Sequence, residues 1–267
     1  MAIIVLITGA NTGIGFHIVR ALSSSSIPYH ILVGARSPAK ATDAIKAVQE
    51  EFPSSESTYA PVIIDIEHDE SIQSAFAEIS SAHGKLDVLI NNAGAQLEPQ
   101  LTRGEILTER ELWNKSWNVN TASTQVMTST FTPLLLKSSN PRLLFITSGT
   151  STLTGIETQQ SLRINHAAPP GWPKPASATA IRAYRSSKTG LNMLMREWHR
   201  ILKNDGVKVF GISPGYLATG LGGDEEFNKR MGAGDPAVAG PFVRSVLEGE
   251  RDEDVGKVLT RAGVQEW

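Results

Sequence analysis

Apolar runs of strand length alternate along the chain with longer amphipathic stretches. The runs fall at 2–7, 30–35, 60–65, 86–90, 142–147, 207–212 and 257–260. Most are continuously apolar, the pattern of strands covered on both faces. Between them the helical period predicts helices near 13–25, 38–51, 69–82, 105–137, 178–203 and 236–248. Asp235-Pro236 makes a good helix start, because a carboxylate can cap the first turn and the missing proline N–H is not needed there. Strict alternation of strand and helix implies right-handed βαβ units and an α/β fold with a doubly wound parallel sheet of about seven strands. No internal repeat or linker divides the chain, so residues 1–267 are read as a single domain.

Two segments break the rhythm. Residues 149–177 contain Pro169, Pro170, Pro173 and Pro175, which sustain neither a helix nor a central strand. This segment is read as an insertion on the substrate side. Residues 215–234 carry six glycines around a short polar helix candidate and are read as a mobile loop.

Composition narrows the function classes. Hydrophobic residues make up 40% and charged residues 19%, a globular balance with enough apolar material for a sizeable core. A formal net charge of −2 gives no electrostatic case for nucleic acid or an anionic membrane. With no cysteine, disulfides, thiolate chemistry and Cys-type zinc sites are excluded, and a reducing, cytoplasmic location is expected. The apolar start Ala2-Ile3-Ile4-Val5-Leu6-Ile7 is too short for a membrane span and runs straight into a glycine motif, as a first strand would. The six histidines are scattered and none stands in an H-E-x-x-H arrangement, so no metal site is expected.

That glycine motif is Thr8-Gly9-Ala10-Asn11-Thr12-Gly13-Ile14-Gly15. Between a strand and a helix, glycines allow a tight turn and close backbone approach, while the free N–H groups of the helix start attract a pyrophosphate. Many NAD enzymes place an acidic residue about 20 positions further on, against the ribose hydroxyls. Here the second strand ends Gly34-Ala35-Arg36-Ser37, and a guanidinium suits a 2′-phosphate. NADP(H) is therefore expected in preference to NAD(H).

Tyr184-Arg185-Ser186-Ser187-Lys188 supplies the chemistry. Residues four apart share a helix face, so phenol and ammonium lie side by side. A free phenol, with a pKa of roughly 10, is a poor acid-base group near neutrality. An adjacent cation is expected to lower that value towards the working range. A serine hydroxyl at a strand end, Ser148 or its neighbour Ser151, could donate to a carbonyl oxygen.

In spacing and order these strings resemble the short-chain dehydrogenase/reductase family, most closely its carbonyl-reductase-like members, and so imply a Rossmann-type fold. By that resemblance Gly9, Asn11, Thr12, Gly13, Ile14 and Gly15 line the dinucleotide, with Arg36 at the adenosine phosphate. Asp65 and Ile66 meet the adenine, and Asn92, Ala93 and Gly94 of the Asn91-Asn92-Ala93-Gly94 string border the adenosine side. Tyr184 and Lys188 both catalyse and bind cofactor, with Lys188 holding the nicotinamide ribose. Ser148 matches the family serine better than Ser151. Asn120, rather than Asn118, matches the asparagine that interrupts a helix and holds a water leading to the lysine. Pro214, Gly215, Leu217 and Thr219 meet the nicotinamide carboxamide.

The implied activity is NADPH-dependent reduction of a ketone or aldehyde to an alcohol, or the reverse. The implied partner is a small carbonyl or alcohol substrate, with no nucleic acid and no membrane. Two departures from the family pattern stand out. The extra basic residue inside the glycine turn is replaced by Asn11 and Thr12, and the interval from Ser148 to Tyr184 is much longer than in many members. The insertion also bears on the helix-bundle interface of the family's tetramers, which leaves monomer and homo-oligomer both open. Two alternatives use the same scaffold: a cyclase or dehydratase with Tyr184 as acid, and a nucleotide-binding regulator.

Overall fold

The computed structural model describes residues 2–106, 108–159, 163–175 and 180–267. Parts of three sequence readings, the helix at 105–137, the insertion at 149–177 and the helix at 178–203, therefore lie outside the described residues at 107, 160–162 and 176–179.

Seven strands follow the apolar runs: β1 Ile3–Ile7, β2 Tyr29–Ala35, β3 Thr58–Ile63, β4 Val88–Asn91, β5 Arg142–Ile146, β6 Lys208–Ile212 and β7 Val258–Thr260. An eighth, β8 Gly263–Val264, folds back antiparallel on β7. The sheet order is β3-β2-β1-β4-β5-β6-β7-β8, parallel throughout except for that last pair. The sequence reading of about seven strands misses β8, because two residues are too few to form a pattern.

The continuous apolar runs have a direct structural cause. In β1, Val5 and Ile7 face one helical layer while Leu6 faces the other. In β5, Leu144 and Ile146 join the first core and Leu143 and Phe145 the second. A strand buried on both faces has no polar side to show. The first core is closed by α1 (Gly13–Ser23), α2 (Pro38–Glu51) and the helix Ala239–Leu247. The second is closed by α3 (Asp69–His83) and by the helices Ser123–Leu135 and Arg182–Leu202.

The stretch read as one helix over 105–137 is two. After α4 (Glu98–Thr102), α5 (Glu109–Trp117) starts at Thr108, whose hydroxyl accepts from the Glu111 amide at 3.1 Å. It passes through a π-helical turn, Asn118–Ala122, into α6 (Ser123–Leu135). A short α7 (Leu153–Glu157) lies in the proline-rich region, and α8 (Arg182–Leu202) packs across the sheet. The loop after β6 holds α9 (Glu225–Arg230), capped by Asp224 Oδ1 accepting from the Phe227 amide at 2.8 Å. Asp235 caps a short turn, through the Ala237 amide at 2.8 Å, that leads into α10 (Ala239–Leu247). Among the described residues no helix is long and apolar enough to cross a membrane.

Candidate active site

The strand order reverses between β1 and β4, which opens a crevice at the carboxyl edge of the sheet. The glycine turn sits there. Gly9 and Gly13 adopt positive φ, 63° and 54°, in the left-handed region that glycine occupies freely. Gly15 is required for a different reason. A Cβ at that position would stand 2.4 Å from the Gly9 carbonyl oxygen and 2.6 Å from Asn92 Nδ2, so any side chain would force the turn apart.

Thr8, which the sequence reading leaves without a role, locks this turn to the strand beside it. Its Oγ1 accepts from the amides of Asn92 and Ala93, each at 3.0 Å. Asn92 answers by donating from Nδ2 to the carbonyls of Thr8 at 2.8 Å and Gly9 at 3.1 Å. The Asn91-Asn92-Ala93-Gly94 string is thus bound to the glycine turn through both backbone and side chains.

Other cofactor candidates lie around the same edge. Arg36 is exposed just beyond β2 and pairs with no carboxylate among the described residues. Asp65 stands two residues past β3 rather than at its last residue, and its Oδ1 accepts from the Glu67 amide at 3.1 Å. Ile66 is buried beside it. After β6, Pro214 and Gly215 lead into buried Leu217 and Thr219. Thr219 Cβ lies 3.6 Å from the position a Gly13 Cβ would take, so this loop meets the glycine turn. Asn228 of α9 ties the loop together, donating to the carbonyls of Thr219 and Leu221 at 3.0 Å and accepting from the Tyr216 hydroxyl at 3.0 Å.

Tyr184 and Lys188 lie one turn apart on α8, both buried, with Lys188 Nζ 6.0 Å from the Tyr184 ring centre. Nζ donates to the Ile146 carbonyl at the end of β5, at 2.8 Å. An ammonium carries three donors, so two remain. A Cβ on Gly94 would lie 3.2 Å from Nζ and 2.8 Å from Asn120 Oδ1, which places the exposed Gly94 against this pair.

Ser148 neighbours the Tyr184 phenol and acts to lower its proton affinity, and its hydroxyl meets Thr150 Oγ1 at 2.9 Å. Ser151 points elsewhere. It is buried, donates to the Ser148 carbonyl at 2.5 Å and accepts from Asn192 Nδ2 at 2.9 Å. The structure therefore pairs Ser148, and not Ser151, with the phenol.

Asn120 lies within the π-helical turn, the helix interruption expected of it. Its side chain is fully engaged, accepting from the Ala95 amide at 2.9 Å and donating to the Ala95 carbonyl at 2.8 Å and to Ser187 Oγ at 3.0 Å. It clamps the segment after β4 onto α8. Its main-chain carbonyl accepts from the Thr124 hydroxyl at 3.2 Å.

One expectation is reversed. The sequence reading has Lys188 lowering the phenol's pKa, but burial dominates and pushes Tyr184 up to about 12, with Ser148 opposing it. The same desolvation brings Lys188 down to about 8. In a low-dielectric pocket each group resists its own charged form, and that desolvation is the largest cause at both.

Other residues hold the site without any sequence signal. Arg185 donates to the carbonyls of Thr150 at 2.8 Å and Ile164 at 3.2 Å and to Asn165 Oδ1 at 2.6 Å, fastening the insertion to α8. Gln265 Nε2 donates to the Ser148 carbonyl at 3.3 Å.

Comparison with known proteins shows the family. The family model described as "short chain dehydrogenase" matches residues 3–160 and 176–229. The chain belongs to that family. It is 51% identical to the short-chain dehydrogenase/reductase eupG of Phoma sp., over 99% of this chain and 97% of that protein. It is 44% identical to the short-chain dehydrogenase/reductase tropE of Talaromyces stipitatus, over 97% of this chain and 95% of that protein. The NADPH-bound carbonyl reductase from chicken fatty liver has the same fold, with a TM-score of 0.75, 22% identity and 100% coverage of both chains. This short-chain dehydrogenase family member has an α/β fold of Rossmann type, built on an eight-stranded, mostly parallel sheet.

Proposed function

We propose that the protein is an NADPH-dependent oxidoreductase that reduces a ketone or aldehyde to an alcohol, with Ser148, Tyr184, Lys188 and Asn120 as its catalytic set. The observation that carries this reading is the buried Tyr184 with Lys188 one turn away on α8, its Nζ 6.0 Å from the phenol ring and bound to the Ile146 carbonyl at the end of β5, with Ser148 just beyond that strand.

The residues present fit a dinucleotide. Gly15 has no room for a Cβ against Gly9 and Asn92, which keeps the turn tight at the start of α1, and a basic side chain follows β2 where a 2′-phosphate would need one. In this proposal Gly9, Asn11, Thr12, Gly13, Ile14 and Gly15 hold the pyrophosphate, and Arg36 the 2′-phosphate. Asp65, Ile66, Asn92, Ala93 and Gly94 border the adenosine, while Pro214, Gly215, Leu217 and Thr219 hold the carboxamide. When bound, the reduced nicotinamide supplies the hydride for the carbonyl carbon.

The chain's own groups manage the oxygen and the proton. Ser148 Oγ and Tyr184 Oη both donate to the carbonyl oxygen and stabilise the charge that develops there. Tyr184 Oη then gives up its proton to that oxygen, and its high proton affinity keeps it loaded for the task at neutral pH. Lys188 uses its two remaining N–H bonds to hold the ribose and steadies the phenolate that forms. The Asn120 carbonyl holds a water through which the proton is replaced. Buried surroundings strengthen each of these interactions.

The rim favours an apolar or aromatic carbonyl compound. Leu153 and Ile156 follow β5, Tyr216, Phe227 and Met231 follow β6, and Trp172 of the insertion is 79% exposed.

A panel of aromatic and aliphatic ketones and aldehydes, assayed by NADPH absorbance, tests the proposal. Carbonyl-dependent loss of absorbance with alcohol formation is expected. Product formation without any absorbance change would favour a cyclase or dehydratase, and NADPH binding with no turnover of any compound would favour a regulator.

A further inference from the structure

Glu98 lies in the segment between β4 and α5 that the sequence pattern reads as loop, and it has no counterpart among the motifs. It opens α4 and is only 9% exposed. Its Oε1 accepts from the main-chain amide of Tyr184 at 2.9 Å. Its Oε2 is buried and has no hydrogen-bond partner among the described residues.

The first contact answers a need of α8. The opening amides of any helix lack partners within it, and Tyr184 is the third residue of this one. Ile181, just before the helix, offers no side-chain cap. A carboxylate from a distant segment supplies the missing acceptor and also suits the positive end of the helix dipole.

The second oxygen is what capping does not explain. A neutral acceptor caps a helix well. The surroundings here are apolar, with Leu97, Ile106, Leu112 and Ala183 forming a small core and Trp113 packed against it. Leaving a carboxylate oxygen unpaired in such a place costs free energy. The charge itself, aimed at the residue that α8 presents, is the feature left to account for.

We propose that Glu98 is a positioning residue for Tyr184: its carboxylate caps the start of α8 at the Tyr184 amide and acts through its charge on the phenol of the same residue. The electrostatics agree in direction, since Glu98 joins burial in raising the proton affinity of the phenol. The other charged groups near the start of α8 are otherwise engaged. Arg182 pairs with Glu109 of α5 at 2.8 Å, Glu111 with Lys115 at 3.0 Å, and Arg185 is turned to the insertion. Lys188, one turn further along α8, is bound to the Ile146 carbonyl. This inference rests on the reading of Tyr184 as proton donor.

The test is a direct titration of the phenol in the full chain without cofactor. Difluorotyrosine labelling lowers all four tyrosine midpoints into a range where the fold survives, and fluorine NMR follows each one, with Tyr184→Phe assigning the signal. Glu98→Gln keeps an acceptor for the amide and removes the charge, while Glu98→Met removes both. The Tyr184 midpoint is expected to fall by on the order of one pH unit in either variant, with Tyr29, Tyr59 and Tyr216 unmoved. The alkaline rise of alcohol oxidation should move to lower pH by the same amount. An unchanged Tyr184 midpoint in a folded variant overturns the proposal. If the wild type reduces no carbonyl compound, the proposed reaction fails while the midpoint still reads the Glu98 contact. If it turns over normally and the midpoint stays put, this inference alone fails.

Discussion

Lys188 Nζ stands 6.0 Å from the centre of the Tyr184 ring and spends one of its hydrogen bonds on the Ile146 carbonyl at 2.8 Å. The two groups share one buried pocket and one face of α8, and burial drives their proton affinities apart, the phenol up to about 12 and the amine down to about 8. Near neutrality the phenol therefore carries its proton and the lysine its charge, the state that suits proton donation to a carbonyl oxygen.

The pH profile of reduction follows from those directions. Tyr184 stays protonated across the working range, so the first group to change is Lys188. The kcat for carbonyl reduction is expected to hold level on the acid side of about 8 and to decline above it as the ammonium is lost. A steady-state profile at saturating NADPH checks this, and a rise through the same region would contradict it.

Lys188 also sets a stability signature. Its folded pKa lies below the unfolded value of 10.5, so the unfolded chain binds more protons between about 8 and 10.5 and stability rises with pH there. The penalty is fully present below about 8, where it amounts to something on the order of 3 kcal/mol. Lys188→Met is expected to unfold at higher denaturant than the wild type at pH 7, with the gap closing towards pH 10.5. Urea melts at several pH values measure this gap, and a gap that widens with pH would contradict the account.

Ser148 and Ser151 separate by partner. Ser148→Ala removes a donor from the reacting oxygen and is expected to lower kcat by about a hundredfold or more with little change in melting temperature. Ser151→Ala breaks buried bonds to the Ser148 carbonyl and Asn192 and is expected to cost stability, about 1 kcal/mol. Its kcat should fall far less. Kinetics and melts of both variants decide the assignment.

Arg36 carries the cofactor preference. Arg36→Ala is expected to raise KM for NADPH about tenfold through the lost charge-assisted contact while leaving NADH nearly unchanged. Equal effects on both cofactors would remove Arg36 from the 2′-phosphate site.

The sheet and its main helices were legible because two-sided burial writes itself into the sequence as unbroken apolar runs, as in Leu143-Leu144-Phe145-Ile146. The glycine turn was legible because close approach leaves room only for glycine, as Gly15 shows. The break at Asn118–Ala122 leaves no mark in the helical period, since an i→i+5 turn keeps the same face buried on both sides of it. Glu98 was invisible: it reaches Tyr184 across 86 residues of chain, and no spacing rule connects them. The direction of the Tyr184 shift was misread for a related reason. The sequence shows the neighbouring lysine but not the depth of the pocket, and depth decides the sign.

Tyr184→Phe, compared with wild type for NADPH affinity and single-turnover carbonyl reduction, bears most directly on the whole account. Loss of the phenolic proton is expected to slow turnover by about a thousandfold or more, with the Kd for NADPH within about twofold of wild type because the glycine cradle is untouched. Turnover at the wild-type rate in that variant would remove Tyr184 from the chemistry, and with it the proposed reaction.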